Sequence, residues 1–153
     1  MNKEMLEMAT LAGRNKIQNQ LSAVDSMDQK IGILLGFVGV IFSLMFKISV
    51  QTWVPFTLYL LGHGCLLYAF IILLFAHRGV KVDTGLNLKG YYELIKTLSK
   101  NNDVVSLLKH ELAYYEKAVE ENNTIINKKS NASIRATYFI LIGLIFYLVG
   151  INI

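Results

Sequence analysis

Apolar positions gather in three blocks. Ile31 to Phe46 is 16 residues without a charge, IGILLGFVGVIFSLMF, and Lys47 ends it. Ile48 to Ala76 is 29 residues with no Asp, Glu, Lys or Arg and one histidine, His63. Ala136 to Ile153 is 18 uncharged residues. A helix needs roughly 20 apolar residues, within a range of about 17–25, to cross the hydrocarbon of a bilayer. The second block meets this outright. The first meets it if Lys47 snorkels to the headgroups and Ile48–Val50 continue the helix, and the third is just long enough. The pattern predicts an all-α membrane protein with three transmembrane helices.

The polar stretches are helical in pattern as well. Leu6, Thr10, Gly13, Ile17, Leu21 and Val24 recur at 3- and 4-residue steps and lead into Asp28 and Ile31, an amphipathic N-terminal helix. After Asn101-Asn102-Asp103, a break and N-cap signal, Val104, Leu108, Leu112, Tyr115, Val119 and Ile126 form a coiled-coil-type stripe if Asn122 takes one seam position. Glu111, Glu116, Glu120, Glu121, Lys109 and Lys117 fall on the other faces. A shorter helix is expected over Gly90–Lys100, with Gly79–Lys89 as a loop. The N-terminal stripe is too weak to hold a lone helix in water, so it is expected to pair with the helix over 103–127, within the chain or between copies. The segments are then an N-terminal amphipathic helix over 1–30, a transmembrane hairpin over 31–76, a cytoplasmic helical segment over 77–133 and a third span over 134–153. Within the hairpin, Thr52 is placed to cap the second helix, with Trp53 at the interface and Pro55 in the first turn.

Charge then sets orientation. Lysine and arginine number four in residues 1–30, one in the hairpin loop, ten in 77–135 and none in the C-terminal tail. The positive-inside rule puts both basic segments in the cytoplasm and the C-terminus outside. Residues 1–30 are polar and lack a signal-peptide core, so the first span is expected to be a retained anchor. The composition agrees: 54% hydrophobic, 17% charged, mean hydropathy +0.44 and net charge +4. A surplus so small and dispersed is no nucleic-acid signature. One cysteine, Cys65, excludes an internal disulfide and a thiolate zinc site.

Candidate chemistry is sparse. Gly32, Gly36, Gly39 and Ser43 line one side of the first span, and Ala136, Gly143 and Gly150 recur seven apart in the third. Gly62, Cys65 and Ala69 form a similar side on the second. Helices in lipid associate through such small residues, inside a bundle or between protomers. Asp25, Asp28 and Lys30, with Arg135, stand at the membrane mouth. They form a ring of charge in an assembly, or pair locally with Lys30, Arg78 or Arg135. His63 is an intramembrane polar group, with a functional reading beside that of a neutral histidine satisfied locally. His77 and His110 read as surface residues. No phosphate loop, nucleophile elbow or HExxH is present, and no enzyme, metal or cofactor is expected.

The segment QNQLSAVDSMDQKIGILLGFVGVIFSL, with Asp28 and Lys30 leading into Ile33, Leu34 and Leu35, resembles the first-span signature of small transmembrane effectors of bacterial antiphage systems. The Pycsar transmembrane effector group is the nearest likeness, with related two-span effectors of nucleotide-signalling cassettes beside it. NKKSNASIRATYFILIGLIF is similar to that group's closing pattern, through Lys128, Lys129, Arg135, Tyr138 and Phe139. Met27 and Gln29 depart from the alanines common around the Asp-x-Lys step. The resemblance implies a dormant inner-membrane protein that a cyclic nucleotide or a cytoplasmic protein partner shifts toward a homo-oligomer that impairs the membrane. Arg78, Lys81, Lys89 and Lys96 are then candidate anion contacts. The competing expectation is a non-conducting anchor that docks a soluble partner; a holin-like lysis protein fits the long helical segment poorly.

Overall fold

A computed structural model of the chain describes residues 3–45, 53–79, 82–83, 96 and 104–152. Three helices make up nearly all of them: α1 (Lys3–Met45), α2 (Trp53–His77) and α3 (Val104–Asn152). Among the described residues there is no strand. At about 1.5 Å per residue the 25 residues of α2 extend roughly 38 Å, beyond the ~30 Å of a hydrocarbon core. Pro55 is the third residue of α2, in the first turn, where a missing N–H breaks no helical bond. Thr52, the loop at 46–52, the Asn101–Asp103 cap and most of the Gly90–Lys100 helix lie outside the described residues. Both α1 and α3 run unbroken past residues 30 and 133, where the sequence pattern changes from polar to apolar.

All three helices contain a stretch long and apolar enough to cross a membrane. Their outward faces carry large apolar side chains, among them Ile33 (72% exposed), Phe75 (67%) and Tyr138 (64%). Such surface is a liability in water and the ordinary state of a helix in lipid. The chain is a multi-pass membrane protein.

The residues group into two compact units. The first comprises Met1–Asp25 and Val80–Ile126, the second Ser26–Gly79 and Asn127–Ile153.

In the first unit α1 and α3 pack as parallel helices. Arg14 meets Glu111 and Tyr115, and Gln20 meets Val119 and Asn123, so the numbers rise together along both. Ile17, Tyr115 and Ala118 form a small core flanked by Leu21 and Val119. At Gly13 a Cβ would stand 3.1 Å from the Tyr115 Cβ, so the absent side chain admits the ring. The seam keeps part of the expected stripes, with Leu6, Thr10, Ile17 and Val24 on α1 and Tyr115 and Asn122 on α3 all buried, and departs from them at other positions. On α3 it is Glu111, Tyr115, Ala118 and Asn122 that are buried, and on α1 Gln20 is buried while Leu21 is only half so. Glu111 does not lie on a solvated face: it is 1% exposed, because Arg14 and Tyr115 satisfy its carboxylate there.

In the second unit all three helices bundle around Ile31, Val38, Ile41 and Met45 of α1, Leu66, Ala69 and Leu73 of α2, and Ala136 and Ile140 of α3. Helix α2 runs antiparallel to α3. Gly62 faces Gly143, the Tyr59 and Tyr147 rings are 6.1 Å apart, and Tyr68 meets Phe139 edge-on at 4.6 Å. Phe42 and His63 bring α1 against α2, their rings 5.8 Å apart.

Candidate functional site

In the first unit the polar groups of the seam form two linked sets. The Glu111 carboxylate accepts hydrogen bonds from Arg14 Nε at 3.0 Å, from Arg14 Nη2, and from the Tyr115 hydroxyl at 2.7 Å. Arg14 Nε also donates to the Tyr115 oxygen at 3.0 Å, and the guanidinium sits 6.0 Å from the ring centroid. The hydrogen bond to Glu111 raises the Arg14 pKa beyond its already high value. Burial, and then the hydrogen bond to Glu111, raise that of the Tyr115 phenol, with Arg14 opposing. The arrangement holds a carboxylate charged inside a helix seam, which an isolated carboxylate does not survive.

Two turns on, Gln20 Nε2 donates to the Asn123 Oδ1 at 2.8 Å and to the Val119 carbonyl at 3.0 Å. Fully buried Asn122 accepts from the Asp83 N–H at 2.9 Å and donates to the Asp83 carbonyl at 2.8 Å. That pair of bonds ties the chain beyond α2 onto the face of α3 in the way one strand pairs with another. Apolar periodicity gives no hint of either set. A 3.5-residue repeat carried back from Gly143, Ile140 and Ala136 lands on Lys129, Asn122 and Tyr115 but then on Val119 and Leu112, one residue off the buried Ala118 and Glu111.

In the second unit, Asp28 pairs with Lys129, which is only 3% exposed, and not with Lys30, Arg78 or Arg135. Asp25, Lys30 and Arg135 are exposed. Arg78 is exposed just past α2, its N–H bonded to the Leu74 carbonyl at 3.1 Å, and Lys96 is exposed on helical backbone. Lys81 and Lys89 lie outside the described residues.

His63 is half-buried beneath Tyr59. Its Nδ1 lies 2.9 Å from the Tyr59 carbonyl one turn back, the two rings are 4.2 Å apart, and the Tyr59 hydroxyl donates to the Met45 carbonyl. The small residues divide sharply. Gly143 is buried, with the Gly62 carbonyl 3.1 Å from where its Cβ would stand, and Gly150 is half-buried. Gly32, Gly36, Gly39 and Ser43 are all exposed, and among the described residues nothing lies within 4 Å of a Cβ built on any of the three glycines. Among the described residues no group of His, Cys, Asp and Glu is arranged to hold a metal ion.

These features define a helical multi-pass membrane protein whose polar seams are built from side-chain pairs on adjacent helices. A sequence model of the Pycsar effector protein domain matches residues 13–153, and the chain belongs to that family. That membership places it among membrane-associated effectors of antiphage defence. No curated protein and no solved structure matches the chain.

Proposed function

We propose that the protein is a bacterial inner-membrane effector that oligomerises and impairs membrane integrity or potential when a nucleotide or a cytoplasmic partner signals infection. The observation that carries this reading is the bare side of α1. Gly32, Gly36, Gly39 and Ser43 are spaced for close helix approach, yet all four are exposed among the described residues. In lipid such a furrow gains from a helix that fits it, by dispersion contacts that tails match poorly. A second copy supplies that helix. The lysine and arginine distribution supports an N-terminus inside and a C-terminus outside. The first unit then faces the cytoplasm with Lys81, Lys89 and Lys96, and Arg78 follows the cytoplasmic end of α2; these four are the candidate contacts for an anionic signal. A signal acts only by binding one state of the unit better than the other.

The test is an inducible strain carrying a membrane-potential dye, with and without candidate cyclic nucleotides. Depolarisation on signal addition is expected, together with crosslinked oligomers that Gly36→Leu and Gly39→Leu abolish. Unchanged potential and normal growth under full induction overturn the proposal. The anchor reading has one observation in its favour, the exposed Met5, Met8 and Leu11 on α1, an adaptable apolar strip of the kind that receives a partner protein. It predicts partner capture without depolarisation.

A further inference from the structure

Inside the second unit, a groove of about 210 Å³ lies between α1 and α3, lined by Met27, Lys30, Ser130, Ser133 and Ile134. We propose that it seats the phosphate of an anionic phospholipid of the inner leaflet. The inference rests on the membrane-spanning reading and adds a ligand to it.

Three observations carry it. The first is chemical: one ammonium and two hydroxyls share a wall with two apolar side chains. One positive charge with neutral donors suits a singly charged phosphodiester, and Met27 and Ile134 suit the glycerol carbons beside it. The second is electrostatic. Asp28, the neighbouring carboxylate, is already neutralised by Lys129, and no carboxylate among the described residues pairs with Lys30. Exposed Lys128 and Arg135 keep the surroundings positive.

The third is depth. Lys30 is the last charge before the uncharged run of α1, and Arg135 the last before that of α3. The groove therefore opens where both helices turn from polar to apolar, which is the level of lipid phosphates. One and two turns further, the same sides of the helices continue with exposed Phe37, Tyr138 and Leu141, a surface along which acyl chains lie. A basic pocket between spans on the inner side is a recurrent way to hold acidic headgroups. A free phosphate monoester carries the same group with nearly one further negative charge and has no use for that apolar continuation.

The experiment reconstitutes the full chain in nanodiscs of phosphatidylcholine with increasing phosphatidylglycerol and counts retained lipids by native mass spectrometry. Phosphatidylglycerol is expected to be retained in preference, and Lys30→Gln to lower that preference about five-fold, the scale of one basic residue at an anionic surface. Ile134→Trp fills the groove without changing charge and is expected to lower it too. Lys16→Gln, an exposed cation of the first unit, leaves it unchanged. Equal retention of the two lipids overturns the proposal, as does a Lys16→Gln loss equal to that of Lys30→Gln. Displacement by equimolar soluble glycerol phosphate assigns the groove to a free anion and overturns the lipid. A chain that enters nanodiscs but shows no preference leaves the membrane reading intact, whereas a chain that does not enter them sinks that reading itself.

Discussion

A Cβ on Gly62 would stand 3.0 Å from the carbonyl oxygen of Gly143, and one on Gly143 would stand 3.1 Å from the carbonyl oxygen of Gly62. The contact is reciprocal and made by backbone, which cannot swing aside as a flexible side chain does. Leu66 and Cys65 also close on Gly143, so the approach of α2 to α3 depends on both residues lacking a side chain.

Gly62→Ala and Gly143→Ala are therefore expected to destabilise the second unit by about 1–3 kcal/mol each, the usual range for overpacking. Gly36→Ala meets open space and leaves the stability of the isolated chain unchanged. Thermal unfolding in detergent compares the three.

Arg14 and Glu111 are coupled, and the coupling is asymmetric. The Glu111 side chain is 2% exposed and that of Arg14 50%. Arg14→Met strands a buried carboxylate and is expected to cost about 2 kcal/mol, below the ~3–5 of a fully buried pair because water reaches half of the guanidinium. Adding Glu111→Leu to it recovers most of the loss. A double-mutant cycle by chemical denaturation measures the difference; losses that simply add refute the coupling.

The same cluster sets a response to alkali. The Tyr115 pKa is raised on folding, so the folded state holds that proton more tightly than the unfolded chain. The stability this contributes is complete below the ordinary tyrosine pKa of about 10 and is lost as pH rises through the higher folded value. Arg14 shifts in the same direction, at a pH too high to be reached. Tyr115→Phe is expected to flatten the decline of stability above about pH 10. A decline that is identical in the variant assigns the effect elsewhere.

Asp28 and Lys129 carry a similar imbalance. The Lys129 side chain is 4% exposed and that of Asp28 33%. Asp28→Asn leaves an ammonium with no counter-charge in a tight seam, whereas Lys129→Met leaves a carboxylate that water still reaches. The first is expected to cost about 3 kcal/mol and the second about 1. Unfolding midpoints that fall in the opposite order contradict the pairing.

The three spans were legible because a run such as Ile48–Ala76 leaves little choice of environment. The pairing of the N-terminal helix with the one after residue 103 was legible as well, since both stripes lacked a partner. The seam was legible in part. Ile17, Tyr115 and Asn122 stand where the stripes put them, whereas Leu112, Val119 and Leu21 are only half-buried and Glu111, Ala118 and Gln20 are buried beside them. A straight helix drifts from a 3.5-residue repeat, and in α3 the buried positions pass from Gly143, Ile140 and Ala136 through Asn122 to Ala118, Tyr115 and Glu111, the last of them one residue off the repeat. The polar residues among them are tolerable only because Arg14, Tyr115 and the Asp83 backbone meet them. Arg14 and Asp83 are distant in sequence from the groups they meet, and no local rule names them. The bare glycines of α1 were visible as a stripe, but which way they face depends on where α2 packs.

The Arg14–Glu111 pair also indexes the two helices of the first unit. Sliding one past the other by a heptad, about 10 Å, sets Glu111 opposite Glu7 in one sense and opposite Leu21 in the other. One displacement sets two negative charges against each other, and the other buries a carboxylate against hydrocarbon. A heptad slide along the axis is thereby closed to this pair, whereas a twist of the helices or their parting is not.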